Sequence, residues 1–117
     1  MCKIDDLIGV PYKEHGRDKN GFDCYGLVIE ISKRCGKNLP DVFYENHDLE
    51  LSSEYAPLLP VKETNQIKEG VLLEMESNNA LHIGIAINEK EMIHATKRGV
   101  RINRIGTLPL RKIYEWL

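Results

Sequence analysis

The stretch Leu81-His82-Ile83-Gly84-Ile85-Ala86-Ile87-Asn88-Glu89-Lys90-Glu91-Met92-Ile93-His94-Ala95-Thr96 decides how the chain is read. Two runs rich in β-branched residues flank a polar Asn88-Glu89-Lys90 break, which is the pattern of a β-hairpin. If that break is a three-residue loop, Ile87 lies opposite Glu91 and His94 opposite Gly84. Side chains alternate along a strand, so His82, Gly84 and Ala86 then share a face with Met92, His94 and Thr96. The two histidines become diagonal neighbours, about 7 to 8 Å apart at the backbone and within reach through their rings. A two-residue loop would put them on opposite faces. The histidine face is small at Gly84 and Ala86, which would let a helix end approach. Its reverse side, with Leu81, Ile83, Ile85, Ile87, Ile93 and Ala95, reads as core.

Outward from the hairpin, segments 71–75 and 99–105 have the same short, β-branched character, and 111–117 supplies a further candidate strand. Upstream the period changes. Cys24, Leu27, Val28, Ile31 and Cys35 recur at helical spacing, Asp23 is an N-cap type, and Gly36 is placed to end the helix as a C′ glycine. Residues 3–8 predict a short helix, stopped by Gly9 and Pro11, and the polar segment 12–21 reads as a loop. Helices first and antiparallel strands second, without βαβ alternation, give an α+β fold. Segment 37–66 is cut by Pro40, Pro57 and Pro60, with a helical turn expected around 49–58. Its aromatic residues Phe43, Tyr44 and Tyr55 are read as core.

With 117 residues, 42% hydrophobic and 29% charged, the chain suffices for a single domain, 1–117, with one modest core. A net charge of −2 argues against nucleic acid as a partner. Nine acids and two lysines lie between residues 41 and 76, and six basic residues without an acid lie between 97 and 112. The basic run is read as a solvated face. No apolar run approaches the roughly 20 residues of a membrane span, and residues 1–6 lack the apolar stretch of a secretory signal. A chain made in the cytoplasm, with no membrane span, is expected. The three cysteines, Cys2, Cys24 and Cys35, show no CxxC spacing, and Cys24 and Cys35 would stand about 16 Å apart along one helix. All three are expected as thiols.

Cys24 is singled out by its place in the first helical turn. The unpaired N–H groups and positive end of a helix favour a thiolate, so partial activation is expected there. A base would come from the hairpin: Cys24 attacks, His82 takes and returns the proton, and His94 holds His82 in the needed tautomer. The same pattern is compatible with histidines that merely fill a core or surface position. A zinc site from the three side chains fits no standard ligand spacing, and no metal or cofactor is expected.

The order of these segments resembles the NlpC/P60 family of papain-like cysteine peptidases. The matching residues are Tyr12, the block Gly21-Phe22-Asp23-Cys24-Tyr25-Gly26-Leu27-Val28, the strand Leu81-His82-Ile83-Gly84-Ile85, the strand Met92-Ile93-His94-Ala95, and Gly99-Val100-Arg101-Ile102 after it. The resemblance implies a papain-like core in which the catalytic helix packs on an antiparallel sheet. It implies Cys24 as nucleophile, His82 as base and His94 as orienting residue. Tyr12 would help hold the oxyanion, and Asp23 would lie beside the substrate's amino group as well as capping the helix. The implied substrate is a peptidoglycan peptide. Two departures stand out: Tyr25 where serine is commoner, and Lys68-Glu69-Gly70-Val71-Leu72 without the aspartate that often follows the glycine. Segments 16–18 and 36–40 resemble variants in phage tail-associated members, which implies tail proteins as partners and action at the wall from an assembled particle.

Overall fold

The computed structural model describes residues 1–41 and 59–117. The helical turn expected around 49–58 and the aromatic residues Phe43, Tyr44 and Tyr55 lie outside the described residues. The segment expected as a short helix makes only a 3-10 turn, Asp5–Leu7, before the chain extends at Ile8. Beyond it, a strand pair of two residues each, β1 (Arg17–Asp18) and β2 (Gly21–Phe22), interrupts the polar loop.

Helix α1, Cys24–Arg34, is determined locally at both ends. The extended Asp23 accepts a hydrogen bond from Gly26 N at 2.7 Å, the N-cap role read from its type. At the other end Gly36 takes φ +79°, Gly36 N–H donates to Lys33 O and Lys37 N–H to Ser32 O. That pair of bonds is a Schellman motif, which needs the left-handed conformation that glycine tolerates.

The strands β3 (Val61–Thr64), β4 (Leu72–Ser77), β5 (Ala80–Ala86), β6 (Glu91–Thr96), β7 (Gly99–Arg104) and β8 (Leu110–Trp116) form one antiparallel sheet, in the order β3-β8-β4-β5-β6-β7. β4 through β7 are successive neighbours, as the sequence pattern predicts, and the closing segment does add a strand. It inserts between β3 and β4, so β3 joins through a pairing that no local signal announces. The architecture is α+β, with the helix against a large antiparallel sheet.

The sheet's two faces differ. On one, Leu72, Ile85, Ile93, Ala95 and Val100 pack with Leu27, Val28 and Ile31 of α1 in the main core. On the other, Leu73, Met75, Ala86 and Met92 form a second cluster with Ile105, Leu108 and Ile113. Burying an aliphatic side chain of this size contributes about 1.5 to 3 kcal/mol, so the first cluster is what holds α1 in place.

The expectation of three thiols is corrected. Cys2 and Cys35 form a disulfide, with Cα atoms 5.1 Å apart and a sequence separation of 33. Helical spacing excludes only a Cys24–Cys35 bridge. The N-terminal segment returns alongside the C-terminal end of α1, which brings Cys2 within the range a disulfide requires. Cys24 keeps its thiol.

Candidate active site

The three-residue loop is present. Ile87 N–H donates to Glu91 O at 2.9 Å, and Gly84 pairs with His94. The histidines therefore share a face, with His82 Nε2 and His94 Nδ1 2.8 Å apart and the rings edge to face at 5.0 Å. The helix does not use the space above Gly84, contrary to expectation. A Cβ there would meet Ile93 O, the His94 Cβ at 3.1 Å and the Met75 Cε at 3.3 Å, so the missing side chain makes room for the imidazole and a methionine. Alternation explains this: α1 packs on the opposite, aliphatic face.

The helix start meets β5 at another point. The β5–β6 register runs from Ala86↔Met92 to Gly84↔His94. At the next residue toward the start of β5, the Ile83 backbone hydrogen-bonds the Cys24 sulfur instead. The nucleophile candidate thus sits against the residue that follows His82.

Cys24 is 4% exposed, and this burial pushes its thiol up to about 12 from an ordinary 9.0. Hydrogen bonds from the Ile83 and Tyr25 backbone oppose the rise, while the negative charges of Asp23 and Glu14 add to it. Desolvation of the anion thus works against the partial activation expected from the helix start and favours the protonated thiol. Burial also lowers His94, which is 3% exposed and hydrogen-bonded through Nε2 to Asn103 Oδ1 at 2.8 Å.

Asp23 is fully buried and multiply engaged. Oδ1 accepts from Gly26 N–H and from Arg17 Nη1 at 2.8 Å, and Oδ2 accepts from His15 N–H at 3.2 Å. Arg17 in turn reaches Asp41 at 3.1 Å. At Gly26 any side chain would overlap Gly16 O, so the glycine lets the polar loop lie against the first turn and bring Arg17 to Asp23. Tyr25, 8% exposed, donates its hydroxyl to Pro40 O at 2.5 Å, with the Arg17 guanidinium 5.9 Å from its ring centre. Its departure from serine ties the helix start to the following segment.

Tyr12 is held next to β2 by a parallel bridge to Phe22. Its hydroxyl lies 3.4 Å from Glu14 Oε2 and Lys97 Nζ stands 3.9 Å over its ring. Burial raises its pKa, as do the negative charges of Glu14, Cys24 and Asp23, so its hydroxyl is a neutral donor. Glu14, His15 and Asp23 bring their ligand atoms within 4.8 Å of one another, a grouping that could hold a cation. Asp23 is already occupied by the helix cap and Arg17. Arg17 and Asn103 are the residues that sequence reasoning missed. For Asn103 a signal existed: a two-residue Lys97-Arg98 turn places it on the histidine face.

The NlpC/P60 family pattern matches residues 9–114. The murein DD-endopeptidase MepS/murein LD-carboxypeptidase of Escherichia coli K12 is 28% identical over 117 residues, which is 98% of this chain and 58% of that protein. The chain thus spans a little over half the length of the curated relatives it matches. Among solved structures, the NlpC/p60 domain of the peptidoglycan hydrolase SagA superposes with a TM-score of 0.68 at 24% identity, covering 94% of this chain and 90% of that one. A NlpC/P60 family protein from Bacillus cereus ATCC 10987 gives 0.70 at 22% identity, over 95% and 37% respectively. These two likenesses show the fold. With the helix-on-sheet arrangement and the match over residues 9–114, they establish that this chain belongs to the NlpC/P60 family and has its papain-like α+β core.

Proposed function

We propose that the chain is a cysteine hydrolase that cleaves an amide bond in bacterial peptidoglycan stem peptides through an acyl-enzyme on Cys24. The observation that carries this reading is the joining of the helix start to the histidine pair: Ile83 touches the Cys24 sulfur, and His82, its neighbour in sequence, is bonded to His94. The relatives named for peptidoglycan and murein hydrolysis support the substrate class.

In this mechanism the thiol is neutral at rest. As Cys24 Sγ attacks the substrate carbonyl carbon, His82 takes the thiol proton. Because His82 Nε2 is engaged by His94, Nδ1 is the nitrogen that serves the sulfur. The negative oxygen of the tetrahedral intermediate is held by the Cys24 N–H, at the helix start, and by the Tyr12 hydroxyl; one such donor is worth about 3 kcal/mol. His82 then protonates the leaving amine as the C–N bond breaks, giving a thioester. A water molecule, deprotonated by His82, hydrolyses it, and the proton returns to the sulfur. His94 orients His82 throughout. Asp23 acts by capping α1 and so fixing Cys24. With its carboxylate 0% exposed, it has no surface for a substrate amine.

Arg98 and Arg101 line a cleft of about 450 Å³ between Ile8-Gly9 and β7, and their guanidinium groups suit the carboxylates of stem peptides. The Cys2–Cys35 bridge supports action in an oxidising setting outside the cytoplasm, where such bonds persist. Carriage by a phage tail is one way of reaching the wall and leaves the chemistry unchanged. Digestion of purified peptidoglycan, with fragments identified by mass, tests the proposal. New amine and carboxyl termini should appear with the wild type and be absent with Cys24→Ser at equal folded content. Equal cleavage by both proteins would refute it.

A further inference from the structure

Resting on the hydrolase reading of Cys24, we propose that Asn103 is a positioning residue that sets the direction of a hydrogen-bond relay, Asn103 to His94 to His82, and thereby makes His82 a base. The two links are each 2.8 Å, from Asn103 Oδ1 to His94 Nε2 and from His94 Nδ1 to His82 Nε2. A neutral imidazole has one N–H and one bare nitrogen, so each link dictates the next. The amide oxygen can only accept, which puts the His94 proton on Nε2 and leaves Nδ1 as acceptor. His82 must then donate from Nε2, and its bare nitrogen is Nδ1, the one that receives the thiol proton.

Turning the amide over reverses every link. Its NH₂ would donate to His94 Nε2, His94 Nδ1–H would donate to His82 Nε2, and His82 Nδ1 would carry a proton. No lone pair would then remain for the sulfur. The relay is thus a choice between a base and no base, made at the far end. The sheet supports it: Asn103 on β7 pairs with Met92 on β6 and lies diagonal to His94, as His82 does from β5 on the other side. His94 is buried between them.

The test uses the full chain labelled with ¹⁵N-histidine, in two-bond ¹⁵N–¹H correlation spectra that tell an N–H nitrogen from a bare one. At pH 9 the wild type should show His82 and His94 each protonated on Nε2. Asn103→Leu removes the acceptor and should convert His82 to a mixture of tautomers. Its kcat on wall peptide should fall on the order of 10- to 100-fold, the usual effect of losing an outer partner, with KM within about twofold. Asn103→Asp keeps an acceptor that cannot donate, so it should retain both Nε2–H tautomers and recover most of kcat. A wild-type His82 protonated on Nδ1, or unchanged tautomers in Asn103→Leu, would overturn the proposal. If the leucine variant does not fold, loss of the tautomers in Asn103→Asp overturns it instead. Absence of Cys24-dependent turnover in the wild type would sink the hydrolase reading alone, because the spectra report the relay without catalysis.

Discussion

Alkylation of Cys24 by iodoacetamide across pH 6 to 9 measures the resting state of its thiol. With the Cys2–Cys35 bridge intact, Cys24 is the thiol that the reagent meets. A thiol moved from 9.0 to about 12 has about a thousandfold less thiolate at any pH below 9. A more basic thiolate is also a better nucleophile. At a Brønsted coefficient of about 0.4 to 0.5, three decades of basicity give back about 20-fold. The net expectation is alkylation about 50-fold slower than for the same cysteine in urea-unfolded protein, before any loss from its 4% exposure. The rate should climb about tenfold per pH unit with no plateau on the acid side. The assay is the mass shift of intact protein against time. A pH-independent rate below pH 7, or folded protein reacting faster than unfolded, would mean a preformed thiolate–imidazolium pair, and the argument from burial would fall.

Two predictions concern stability. The disulfide closes a loop over a separation of 33 residues, for which chain entropy gives about 4 kcal/mol, so reduction should lower Tm by about 15 °C for a chain of 117 residues. Cys2→Ser should reproduce the loss and make Tm insensitive to reductant, as thermal scans with and without reductant would show. The raised Cys24 pKa also has a sign. Above pH 9 the unfolded chain releases a thiol proton that the folded chain keeps until about 12, so the folded state loses about 1.4 kcal/mol per pH unit across that window. Urea titrations at pH 8 and 10 should differ by about 1.4 kcal/mol from this source in the wild type but not in Cys24→Ala, a comparison that removes the contribution of the buried tyrosines.

What the sequence made legible was local. The hairpin register followed from a loop length, and a loop length fixes which face every side chain takes, so His82 and His94 came together on that reasoning alone. The limits of α1 followed equally from Asp23 and Gly36, whose conformational preferences act within one turn. What stayed hidden depends on chain return. The β8 insertion next to β3, the approach of Cys2 to Cys35, and the Arg17 contact to Asp23 all join segments that no periodicity links. The burial of Cys24, 4% exposed, stayed hidden for the same reason. Helix position is visible in sequence, but the depth of burial that overrides it is made by the sheet.

In the proposed mechanism, the neutral thiol and the neutral end of the relay are two sides of one arrangement. In a triad closed by a carboxylate, a full negative charge favours the imidazolium even before substrate arrives. Here the third group is a buried imidazole whose proton affinity burial lowers, and behind it stands an amide that does not titrate. His82 is therefore oriented by hydrogen bonds without a charge to hold a proton on it. Glu14 and Asp23 act the same way at the other end, since their negative charges oppose a thiolate. Burial thus disfavours the charged form both at the Cys24 thiol and at the His94 imidazole. In the proposed mechanism, proton transfer becomes favourable only when a substrate carbonyl accepts the sulfur's electrons and the helix start receives the negative charge as an oxyanion. This couples activation of the nucleophile to occupation of the site.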